Sequence, residues 1–176
     1  MRRRGNDWQM RVGSRAVLLA LTVALTMALP AGAAPEVAKR FVPQQSVGGV
    51  KIGMIASQVL AAAGKPTSNK ITAHPLVGKT REMKFGLLTV TFRGTAKSAT
   101  VFNVTTTSKK ERSGAGVGVG SSEKQLAASL VGETCVTKLG HRHCYLGKWK
   151  KSSVVTDFSI SERGRVTQIT LSVIVG

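Results

Sequence analysis

The hydrophobic pattern of this chain is a short helical period followed by runs of two-residue alternation, and it occurs twice. Over 55–63, Ile55, Val59, Ala62 and Ala63 fall at the i, i+4, i+7, i+8 spacing of one buried helical face. Gly64 suits the left-handed position after a helix, and Pro66 prevents continuation. Downstream, 81–85 places Met83 and Phe85 on one face. Over 88–93, Leu88, Val90 and Phe92 alternate with Thr89, Thr91 and Arg93, and over 99–106 Phe102 and Val104 are expected to point inward. A helix of about two and a half turns is unstable alone in water, so it must pack on these strands. The threonine-rich opposite positions predict a sheet with one wet side.

The same grammar returns 67 residues later: Gly53 falls on Gly120, Gln58 on Gln125, Val59 on Leu126, Phe102 on Ile169 and Val104 on Leu171. Ser122 and Gln125 form an S-x-x-Q capping box, where the first copy has Ile55 at the cap position. Leu126, Ser129 and Leu130 continue the second helix and Gly132 closes it. Alternation over 154–160, a turn at 161–164 and a run over 166–175 follow, the last with Ile169, Leu171, Val173 and Val175 on one face. Helix followed by consecutive strands predicts an α+β fold of two tandem repeats, each a short helical segment followed by an antiparallel sheet of three to four strands. The first repeat spans 46–107 and the second 117–176, joined by the charged, glycine-rich segment 108–116. Units of this size have marginal cores, so the halves are expected to share an interface. Before them, the N-terminal segment 34–45 offers Phe41 and Val42 as core anchors and a short helix over 36–40.

The first 33 residues read as a secretory signal peptide. An arginine-rich start precedes an apolar run of 14 residues over 16–29, shorter than the roughly 20 needed to span a bilayer. Pro30 and the A-x-A pattern Ala31-Gly32-Ala33 then place cleavage after Ala33. The formal charge of +18 falls to +14 on cleavage, because the 26 basic and 8 acidic side chains become 21 and 7. Outside a cytoplasmic membrane, such a charge suits an anionic wall polymer, a lipid headgroup surface or an acidic protein better than nucleic acid.

Cys135 and Cys144 are the two cysteines, and in an exported chain they read as a disulfide closing a loop of about ten residues. A metal site from Cys135, His141, His143 and Cys144 fits no zinc spacing. His74, His141 and His143 are the three histidines, and no G-x-S-x-G elbow or acid-base pair marks a hydrolase. Glu133 and Asp157 are carboxylates without a spacing that pairs them. Gly114, Gly116, Gly118 and Gly120 form G-x-G-x-G-x-G after a charged joint, not a phosphate-cradling loop after a strand. No catalytic residue, cofactor or metal is assigned. Most phenylalanines fall on strand positions, which leaves Tyr145 and Trp149 interleaved with Arg142, Lys148, Lys150 and Lys151 as the candidate contact surface. The alternative place for Trp149 is the second core.

Two units of glycine, short helix, glycine and sheet, with Cys135 and Cys144 bracketing one helix-to-sheet loop, resemble the secreted β-lactamase inhibitory proteins. A single unit, with Gly53-Met54 leading a helix that ends Gly64-Lys65-Pro66, is similar to the small outer-membrane-assembly lipoproteins of the BamE type. The resemblance implies a secreted, non-catalytic binding protein that engages an extracellular protein partner, such as an enzyme, through sheet and loop surfaces. The alternative expectation is a cell-envelope-associated basic protein on anionic wall polymer or a membrane surface. Either reading implies no nucleic acid partner and no membrane span after cleavage.

Overall fold

Gly48 and Gly49, both at positive φ, turn the chain between Ser46–Val47 (β1) and Val50–Lys51 (β2), a two-stranded ladder. Gly48 also leaves room for the side chain of Leu88, which an added Cβ would meet at 2.9 Å. Helix α1, Ala56–Ala63, follows, and then Ser68–His74 (β3), Gly78–Phe85 (β4), Leu88–Arg93 (β5) and Thr100–Thr106 (β6). The second helix, α2 at Glu123–Ser129, precedes Thr134–Lys138 (β7), His141–Leu146 (β8), Val154–Ile160 (β9) and Val166–Val173 (β10). The computed structural model describes residues 41–175. The chain divides into units Met1–Pro35 and Glu36–Gly176, and the described residues belong to the second. The signal peptide expected at 1–33 and the helix at 36–40 lie outside them.

The strands form one antiparallel sheet of eight, in the order β3-β4-β5-β6-β10-β9-β8-β7. This corrects the expected fold class: the protein is mostly β, with two short helices and a continuous sheet, and is not an α+β pair of helix-plus-sheet repeats. The reason is the junction of β6 with β10. Val104 stands directly opposite Leu171, both fully buried, so the two runs of strands share one ladder and one core where separate sheets were expected.

Several other expectations change for identifiable reasons. β3 escapes the alternation test because it is an edge strand whose one large apolar residue, Ile71, is 64% exposed. The loop expected between Cys135 and Cys144 is a β7–β8 hairpin. Phe102 was expected to share the inner face with Val104. The register shifts between Thr91 and Phe92, which pairs Phe92 with Val101. Phe102 is buried outside the main core cluster, its ring edge-on to His74 at 5.7 Å and beneath the Arg93 guanidinium.

One face of the sheet carries the core. Val59 of α1 and Leu126 of α2 are fully buried in it, together with Phe41, Val47 and Val50. Phe41 anchors the N-terminal segment edge-on to Phe158 at 5.7 Å, whereas Val42 is 37% exposed. The Ser122 hydroxyl accepts a hydrogen bond from the Gln125 N–H, and Gln125 Oε1 accepts from the Ser122 N–H, the expected capping box. At α1 only the return half exists, from the Ile55 N–H to Gln58 Oε1. The other face is the wet one, crossed by a row of successive cross-strand neighbours: Thr89, Thr105, Thr170, Asp157 and Tyr145.

Candidate functional site on the outer face of the β7–β8 hairpin

Strand alternation divides the hairpin residues between two environments. Cys135 and Cys144 are register partners joined by a disulfide, and Cys144 is fully buried in the core. Arg142 shares that inner side and binds Glu123 of α2 through Nη2 and Oε1 at 2.5 Å. The carboxylate raises the guanidinium's pKa further. Val136, His143 and Tyr145 face the other way and line a groove of about 420 Å³ with Trp149 and Asp157.

The turn at the hairpin tip gives this groove an unusual edge. Leu139 and Gly140 connect Lys138 to His141 with φ of +51° and +78°. Positive φ at both central residues is the type I′ geometry that matches strand twist and favours Asn-Gly. Leucine pays a steric penalty there, since its Cβ approaches the following carbonyl. Leu139 is nevertheless 89% exposed and lines the groove.

On the opposite strand, Tyr145 packs edge-to-face with Trp149, ring centres 5.5 Å apart. Trp149 is 59% exposed, so it does not fill a second core. At the floor, His143 Nδ1 lies 3.1 Å from Asp157 Oδ2, and Asp157 Oδ1 is buried without a hydrogen-bond partner. Burial pushes the Asp157 carboxyl above the ordinary carboxylate range, with the hydrogen bond from His143 acting in the opposite direction.

Of the residues expected to form the contact surface, the structure brings Tyr145 and Trp149 together and leaves Lys148 and Lys150 exposed on the loop that carries Trp149. It separates two others. Arg142 is turned to the helix side, and Lys151 borders a different cavity with Leu76 and Arg93. Sequence reasoning missed Leu139, Val136 and the pairing of His143 with Asp157. The Leu-Gly dipeptide between alternating residues was the available sign of the tip, while a cross-strand pair 14 residues apart leaves no local signal.

The cysteines do not form a metal site, either in the set Cys135, His141, His143 and Cys144 weighed from the sequence or with Glu123. Glu123 lies within 4.8 Å of both sulfurs, but the sulfurs are bonded to each other and the carboxylate holds Arg142. Within the glycine run Gly118 is a packing position: an added Cβ would overlap the Glu111 carbonyl oxygen, next to the bridge that Gly118 makes with Arg112. Among the described residues, no helix is long and apolar enough to cross a membrane.

No protein-family model matches the chain, and no curated protein matches it. Two solved structures are similar in part. The uncharacterized protein YfeY from Escherichia coli aligns with a TM-score of 0.48 at 15% identity, over 74% of this chain and 98% of that one. An extracellular protein containing an SCP domain, from Bacillus anthracis, aligns with a TM-score of 0.43 at 10% identity, over 69% of this chain and 43% of that one. Neither the β-lactamase inhibitory proteins nor the BamE-type lipoproteins are confirmed as its family by these comparisons.

Proposed function

We propose that the protein is a secreted, non-catalytic binding protein that engages the surface of an extracellular protein through the β7–β8 tip and the β8–β9 loop. One observation carries this reading: Leu139 and Trp149, 89% and 59% exposed, both line a single groove. An exposed leucine in a left-handed turn contributes nothing to folding and costs about 1 kcal/mol or more. A partner that covers it supplies the missing compensation. Tyrosine and tryptophan side chains dominate interface hot spots because they bury much area at little entropic cost. Lys138, Lys148 and Lys150 around them favour an acidic partner surface. The Cys135–Cys144 disulfide fits an oxidising compartment.

The test is capture from culture supernatant and from cell walls by the wild-type chain and by a Leu139→Asn, Trp149→Ala variant, at low salt and in about 0.5 M salt. A single protein retained at high salt by the wild type and lost by the variant supports the proposal. Retention of wall polymer or lipid alone, abolished by salt and indifferent to the variant, overturns it in favour of dispersed lysine electrostatics, which are screened within a few ångströms at that ionic strength.

A further inference from the structure

We propose that His141 and His143 bind a divalent transition-metal ion of the copper or zinc class on the outer face of β8, with Asp157 as the positioning residue for His143. The ion would sit in the groove proposed above as the protein contact, but its ligands and its test do not depend on that contact. Residues two apart on a strand point to the same face, and the rings of His141 and His143 stand with their centres 6.5 Å apart. Two imidazoles sharing one ion at nitrogen distances of about 2.0–2.1 Å, in tetrahedral geometry, have ring centres about 5 Å apart. His141 is exposed, so a side-chain rotation closes the difference.

Asp157 supplies what such a site requires behind its ligands. Its Oδ2 lies 3.1 Å from His143 Nδ1, so the carboxylate accepts the Nδ1–H and leaves Nε2 with its lone pair as the ligand atom. Carboxylate, histidine and metal in series is the usual way a protein orients a ligating imidazole and raises its basicity. Asp157 Oδ1 is buried and accepts no hydrogen bond, an uncommon state for a carboxylate oxygen. A cation on the far side of the imidazole compensates the pair's buried negative charge. Lys138, directly opposite His141, brings a like charge, but its flexible stem lets the ammonium remain in water. Imidazole nitrogens in a shallow, open groove suit copper(II) or zinc(II) better than magnesium or calcium, which select oxygen.

The experiment is calorimetric titration of the full chain with copper(II), and separately zinc(II), at about pH 7.4, with electron paramagnetic resonance of the copper complex. The expected result is one ion per chain, copper the tighter, and a nitrogen splitting pattern from two imidazoles. His141→Ala and His143→Ala should each weaken binding at least tenfold, and Asp157→Asn by about 10- to 100-fold. His74→Ala, on β3 at the opposite edge of the sheet, should leave affinity unchanged. Affinity unaffected by His141→Ala or His143→Ala, binding weaker than the micromolar range, or a one-nitrogen spectrum overturns the proposal. The spectrum of the wild-type complex decides the ligand set even if a variant fails to fold.

Discussion

Arg142 and His143 are neighbours in sequence and stand on opposite faces of the sheet. Arg142 binds Glu123 of α2 on the helix side, and His143 meets Asp157 on the open side. The consequence for the contact surface is direct. Arg142→Ala should leave partner capture unchanged, because the guanidinium does not line the groove, and should reduce stability by loosening α2 from β8. Parallel capture and urea unfolding experiments check this, and loss of capture at unchanged stability would place the contact on the wrong face.

Leu139 should trade stability for binding. Asn at the first position of a type I′ turn tolerates positive φ at much lower cost than leucine. Leu139→Asn should therefore stabilise the chain by about 1 kcal/mol while weakening partner capture. A urea midpoint that falls on this substitution would show that leucine packs where its 89% exposure says it does not.

The legible parts of this chain were those written in local pattern. Alternation located β5, β6, β9 and β10 because their inner residues, such as Val90 and Leu171, are fully buried while polar residues such as Thr89, Thr105, Asp157 and Thr170 occupy the other side. The capping box of α2 and the end of α1 at Gly64 could be read for the same reason, whereas α2 stops at Ser129 with Leu130 as its extended cap, two residues before the expected Gly132. What failed was non-local. The pairing of β6 with β10 decides between two sheets and one, and it depends on Val104 meeting Leu171 across 67 residues. At the site, the aromatic and basic run was visible, but a run of consecutive residues on a strand alternates between faces. The cluster therefore lost Arg142 and gained Asp157 from another strand.

Gly118→Ala should be strongly destabilising, by about 2 kcal/mol or more, since the methyl group would overlap backbone atoms of Glu111, which have no rotamer by which to yield. Gly114→Ala, where an added Cβ meets nothing within 4 Å, is the matched control and should change stability by less than about 0.5 kcal/mol. Thermal unfolding of the two variants side by side separates a packing glycine from a merely flexible one.

Replacing Cys135 and Cys144 together by serine should cost more than about 2–3 kcal/mol, the loop-closure value for a cross-link across roughly ten residues. Cys144 is fully buried, so part of the loss comes from a hydroxyl placed among apolar neighbours. Reduction of the wild-type chain should give a smaller loss in urea unfolding than the double substitution. Equal losses would mean that the burial of serine costs nothing.

The His143–Asp157 pair makes a pH prediction whose sign follows from its cause. Burial raises the Asp157 carboxyl, and the hydrogen bond from His143 only partly opposes it; Lys138, His141 and Tyr145 line the same groove. The folded chain therefore keeps this proton at pH values where the unfolded chain, with a carboxyl near about 3.9, has released it. Stability from this group is present below the unfolded value and is lost as pH rises through the folded one. Asparagine does not titrate and still offers His143 an oxygen. In a chelating buffer, the stability of Asp157→Asn relative to wild type should rise between about pH 3.5 and pH 7, measured as the difference in urea unfolding free energy at each pH. A difference that falls over that interval would mean the bond from His143 outweighs burial, with the carboxyl lying below its ordinary range.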